Sequence, residues 1–164
     1  MKLPSRLRAI ISLILFFTAY EANAYQFTPD NCGFSMSFET APTVTEQTVA
    51  VLSDQPMQRI TYDQSDFAIV VECLPLHVIA NDDASIKKML SDKATFEGLS
   101  GWIYFDEGKK KYVRGYKAIY GRPFTLHYYA YRGKTSLLMV TVGGISSGFP
   151  QREIGVFLHS VKEI

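Results

Sequence analysis

The chain has 164 residues, 47% hydrophobic and 20% charged, with 17 Lys and Arg against 16 Asp and Glu for a formal net charge of +1. That composition excludes a disordered or low-complexity chain, and no internal repeat is visible.

Lys2, Arg6 and Arg8 precede an uncharged run from Ala9 to Ala19, and a polar stretch then ends in Ala22-Asn23-Ala24. This is the three-part order of a secretory signal peptide, with small residues at the two positions that signal peptidase reads. The apolar run is 11 residues long, whereas about 20 are needed to cross a bilayer core. Residues 1–24 are therefore expected to be a cleavable signal of bacterial style, cut at Ala24/Tyr25, with no permanent membrane span. Cys32 lies too far from the run to be a lipidation site. The remainder, 25–164, is expected to be a single exported domain, periplasmic or extracellular, and its length suffices for a substantial core.

Both cysteines, Cys32 and Cys73, lie in the exported part, and an oxidising compartment favours their pairing. Alternation puts Cys32 in phase with Phe34, Met36 and Phe38, and Cys73 in phase with Phe67, Ile69 and Val71, so both sulfurs point toward the core. A disulfide is the expectation, with two separate buried thiols as the alternative. A redox-active pair is disfavoured by the absence of Cys-x-x-Cys and by an apolar setting that raises a thiol pKa.

Alternating segments around 32–38, 44–52, 57–63 and 66–74, rich in Thr, Val, Ile, Tyr and Phe, predict strands arranged as an antiparallel meander. Asn81-Asp82-Asp83 offers an N-cap, and Ile86, Met89, Leu90 and Ala94 recur at helical spacing up to a stop at Gly98. Trp102–Phe105 and Tyr112–Tyr120 predict a hairpin around 106–109, and Phe124–Tyr131 pairs with Ser136–Val142 across 132–134. Past Pro150, Ile154, Phe157, Leu158 and Val161 form a helical stripe. The strand from Phe124 to Tyr131 has large side chains in both phases, so both faces of its sheet should be covered. The predicted fold class is α+β: a mostly antiparallel sheet flanked by helices, an α-β-α sandwich.

Gly33-Phe34-Ser35-Met36-Ser37-Phe38 followed by Ala41-Pro42-Thr43-Val44, the central helix, and the closing Phe157-Leu158-His159-Ser160-Val161 resemble small secreted proteins of the PsbP-like α-β-α sandwich type. The resemblance implies an assembly or accessory role without catalysis, and it supplies no functional residue.

Among patterns that carry chemistry, Gly144-Ile145-Ser146-Ser147-Gly148 matches the G-x-S-x-G nucleophile turn, with Glu153 and His159 following in hydrolase order. Six residues on a helix turn Glu153 and His159 about 240° apart, and too little chain follows to bring an acid and a base from later strands. The match reads as coincidence, and a small secreted serine hydrolase is kept as an alternative. His77, His127 and His159 are scattered, so no metal site is expected, and no glycine pattern points to a nucleotide cofactor. His127 shares a strand face with Tyr129 and Tyr131, where it either lines a pocket or is a partly buried core residue.

Charge is segregated along the chain. Residues 25–107 contain thirteen acids and four bases, whereas 108–152 contain nine bases and no acid. Tyrosines interleave with those bases, and cationic aromatic surfaces suit anionic partners. The candidate partner-binding residues are Lys109, Lys110, Lys111, Tyr112, Arg114, Tyr116, Lys117, His127, Tyr129 and Tyr131. The alternative is that acidic and basic segments meet in the fold and cancel locally. The expected function is a non-enzymatic binding or accessory domain for a protein or an anionic envelope component, not nucleic acid. A structural subunit of an envelope or secretion assembly is a further alternative.

Overall fold

The computed structural model of the chain describes residues 24–47, 57–76 and 82–164. Residues 1–23 of the expected signal, part of the expected 44–52 strand, His77 and Asn81 lie outside them.

The elements in chain order are β1 (Tyr25–Phe27), β2 (Phe34–Phe38), β3 (Thr43–Gln47), β4 (Met57–Asp63), β5 (Phe67–Pro75), α1 (Asp83–Phe96), β6 (Ser100–Glu107), β7 (Lys110–Ile119), β8 (Arg122–Arg132), β9 (Ser136–Ile145), α2 (Arg152–Ser160) and β10 (Lys162–Glu163). Seven strands form one antiparallel sheet in the order β3-β4-β5-β9-β8-β7-β6, and β1-β2-β10 form a smaller sheet. This single-domain arrangement is the α+β sandwich that the sequence predicts.

The meander expected in the first half is β3-β4-β5 alone. Strand β2 leaves it because Phe34, Met36 and Phe38 are buried against the face of the large sheet rather than exposed at its edge. Cys32, just before β2, is bonded to Cys73 on β5 with 5.7 Å between their Cα atoms. The disulfide thus ties the small sheet to the large one.

Helix α1 begins where Asp82 Oδ1 accepts a 2.8 Å hydrogen bond from the Ser85 N–H, a cap that holds the Asp82 carboxyl below its ordinary pKa. It ends at Gly98, whose φ of +69° is the left-handed conformation that lets the chain turn off the helix. Ile86, Leu90 and Ala94 are buried on Val113, Tyr128, Ala130 and Met139, each large apolar side chain contributing about 1.5–3 kcal/mol. Helix α2 buries Ile154 and Phe157 on the opposite face, in a cluster with β2, β4, β5 and β9.

Strand β8 explains its unusual sequence. Tyr129 belongs to the core cluster under α2 with Tyr131 packed on it, while Tyr128 and Ala130 belong to the cluster under α1. The two helices are nevertheless offset: α1 lies over β6, β7 and β8 on one face, and α2 with the small sheet lies over β4, β5 and β9 on the other. On the α1 side the half left bare is polar, with Arg59 and Glu72 ion-paired at 3.1 Å. On the α2 side it is aromatic.

Candidate partner-binding face

Cross-strand register builds the bare half of the α2-side face as a series of rows. Phe105 lies opposite Tyr112, which lies opposite Tyr129 and then Val140. In the next row Ile103, Arg114, His127 and Val142 are aligned, and on the other side Glu107, Lys110, Tyr131 and Leu138. Each row starts in the core at β9 and runs outward to solvent at β6. Ile103 is 51% exposed and Tyr116 52%.

The rings stand side by side. Phe105 and Tyr112 stack with centroids 4.6 Å apart and planes 11° from parallel, Tyr112 and Tyr129 are 5.0 Å apart, and His127 meets Phe149 edge-on at 4.9 Å. The Arg114 guanidinium sits 5.2 Å from the centre of the Phe105 ring, a cation–π contact that orients the charge without neutralising it. Among the described residues no carboxylate forms an ion pair with Arg114.

Seven of the ten residues singled out in the sequence share this face: Lys110, Tyr112, Arg114, Tyr116, His127, Tyr129 and Tyr131. Lys111 and Lys117 alternate to the α1 side. Lys111 is only 2% exposed and pairs with Asp106 at 2.7 Å and Asp83 at 3.4 Å; its hydrogen bond to Asp106 raises its pKa. It joins α1 to the β6–β7 hairpin and is withdrawn from any contact surface. Lys117 meets Glu97 at 3.5 Å, Lys109 meets Glu163 at 2.8 Å, and Lys110 pairs with Glu107. Acidic and basic segments thus meet in the fold for most of these lysines, and Arg114 is the cation of the face left over. Sequence reasoning missed Ile103, Phe105 and Phe149; the first two were legible from alternation once Asp106–Lys109 fixed the hairpin register.

His127 Nδ1 lies 2.8 Å from the Tyr129 hydroxyl. Burial, with Arg114 nearby, lowers its pKa to about 4, while burial raises the Tyr129 and Tyr131 hydroxyls. His127 is therefore neutral in the folded state at pH 7. Below pH ~6.5 the unfolded chain takes up a proton that the folded chain refuses, so stability falls as pH drops from about 6.5 to 4. Urea unfolding at both ends of that window should show about 2 kcal/mol more loss for the wild type than for His127→Gln, a figure reduced for partial exposure. Equal losses would reject a neutral, desolvated His127.

The G-x-S-x-G letters have a packing explanation. A Cβ at Gly144 would stand 3.0 Å from the Asp66 carbonyl oxygen and from the Phe149 ring. Ser146 Oγ lies 3.0 Å from Thr125 Oγ1, and His159 Nδ1 lies 2.7 Å from the Gly155 carbonyl oxygen. Glu153 and His159 sit in the first and last turns of α2. Among the described residues no group of three or more His, Cys, Asp or Glu side chains is placed to hold a metal ion, and no helix is long and apolar enough to cross a membrane.

An offset α-β-α sandwich with an antiparallel sheet is the fold of PsbP-like proteins, and comparison with solved structures bears this out. Cyanobacterial PsbP (CyanoP) from Synechocystis sp. PCC 6803 matches 87% of this chain and 94% of its own, with a TM-score of 0.54 and 9% identity. A Bacteroides thetaiotaomicron VPI-5482 structure matches the same share with a TM-score of 0.55 and 11% identity, and this chain spans 49% of its length. LpqN, involved in cell envelope biogenesis of Mycobacterium tuberculosis, matches with a TM-score of 0.48 and 13% identity, covering 87% of this chain and 92% of its own. The likeness is one of fold. No protein-family model and no curated protein matches the sequence.

Proposed function

We propose that the chain is an exported, non-enzymatic binding or accessory domain that holds a protein or anionic envelope partner on the bare α2-side face of β6 and β7. The observation that carries this reading is the combination of half-exposed Ile103 and Tyr116 with an Arg114 that no described carboxylate neutralises. Contiguous exposed apolar surface with a charged rim marks an interaction site more often than an isolated exposed residue does. The Cys32–Cys73 disulfide supports an oxidising compartment, which fits export. CyanoP offers only an analogy of fold.

The test is cross-linking in the exported fraction. Arg114→Glu combined with Tyr116→Ser should reduce the recovered partner about tenfold or more. Arg122→Glu, on the opposite phase of the sheet, is the control and should leave recovery unchanged. If the double variant folds and captures its partner as well as the wild type, the reading is wrong.

A further inference from the structure

Among the described residues the seven-stranded sheet ends in two edge strands, β3 and β6, and they differ in chemistry. β3 is short and polar, Thr43-Val44-Thr45-Glu46-Gln47. β6 has eight residues, and Trp102, Ile103, Tyr104 and Phe105 run consecutively at its centre. Its register slips between Ser100 and Ile103, and from Ile103 to Glu107 the pairing with β7 is regular. Proteins ordinarily blunt a sheet edge with charge, proline or a bulge. Here the bulge bends only the first residues, and the charges of the regular part, Asp106 and Glu107, sit at its far end and are paired with Lys111 and Lys110, so Ile103, Tyr104 and Phe105 are unguarded.

We infer that β6 is a docking edge for an extended, acidic and apolar peptide segment of a partner protein, which adds to the large sheet as an eighth strand. This rests on the binding role proposed above and specifies its mode. Backbone groups on the outer side of β6 would supply the hydrogen bonds, and the side-chain rows would supply selectivity. An added strand lies about 4.8 Å beyond β6 and hence about 9.6 Å from β7, a gap that Arg114 and an incoming glutamate together span. Alternate apolar residues of the segment would extend the rows that end at Ile103 and Phe105. Arg114, 5.2 Å from the centre of the Phe105 ring and without an ion pair to a described carboxylate, favours a carboxylate on the incoming strand.

Charge also selects between occupants. A second copy pairing β6 with β6 would bring Asp106 and Glu107, yet Asp106 already pairs with Lys111 and Glu107 with Lys110. A copy of this chain thus offers Arg114 no free carboxylate on that strand, whereas an acidic segment of another protein does.

The probe is a capped seven-residue peptide of alternating Val and Glu, with a Val and Lys peptide of the same length beside it, each added to the exported chain. Amide exchange at Ile103–Glu107 should slow about tenfold with the Glu peptide, and not with the Lys peptide. Ile103→Lys should remove that protection, and Arg114→Gln should weaken Glu-peptide affinity about fivefold. No slowing at millimolar peptide, or equal slowing by both peptides, overturns the inference. So does a protein that is dimeric by sedimentation with β6 already protected, since the second copy then fills the edge. If the captured native complex depends on Arg114 and Tyr116 while β6 amides stay unprotected, strand addition is wrong and the binding face stands.

Discussion

Replacing both Cys32 and Cys73 with serine is expected to lower the unfolding free energy by about 4 kcal/mol, the loop-closure value for residues 41 apart. Domains of this size are stable by only about 5–15 kcal/mol, so the loss is a large share of the whole. The bond has more to constrain than its length suggests. It joins the coil before β2 to β5, and hence fixes the small sheet over the core of the large one; Cys32 itself is fully buried, and its carbonyl oxygen accepts a hydrogen bond from the Ser136 hydroxyl. Urea unfolding of oxidised wild type, reduced wild type and the double variant measures the effect. The last two should agree to within about 1 kcal/mol, with the new hydroxyls adding the difference. An unchanged midpoint on reduction would refute a stabilising role.

Phe157→Ala is the second large effect, a loss of about 3–5 kcal/mol. Phe157 is 2% exposed, and its ring stands 5.0 Å from Phe38, which in turn lies 5.4 Å from Tyr62. It is the central link between α2, β2 and β4. Its neighbour Val156 is 53% exposed, and Val156→Ala should change stability by no more than about 0.5 kcal/mol. Thermal unfolding of the pair separates docking of α2 from its intrinsic helicity, since both substitutions favour helix. A loss below about 1 kcal/mol for Phe157→Ala would mean that α2 is held by something other than this ring.

The fold was legible where periodicity is strong and one-sided. Ile86, Leu90 and Ala94 announced α1, the run Asn81-Asp82-Asp83 its start, at which Asp82 is the cap, and Gly98 its end. The large residues in both phases of β8 announced a sheet covered twice. The small sheet was not legible, because β1 has three residues and β10 two, too few for alternation to register. The candidate face was half legible. Tyr112, Arg114, Tyr116 and His127 came together because a strand places alternate residues on one face. Lys111 did not, because the same rule sends it to the other side, where it meets Asp106 across the hairpin and Asp83 from α1. Run counts of charge carry no phase, and phase decides which bases reach solvent.

The smallest element has a kinetic consequence. Strand β10, at Lys162 and Glu163, pairs with Ser35 and Phe34 of β2, while β5 pairs along its whole length with β9. Strands β2 and β5 therefore each wait for one partner from much later in the chain, although β1, β3 and β4 pair with them or with each other locally. Non-local pairing of this kind slows folding relative to the local hairpins around it, and a chain lacking β9 and α2 has no complete core to close around. Lys162 and Glu163 thus act as the latch that closes the small sheet on β2.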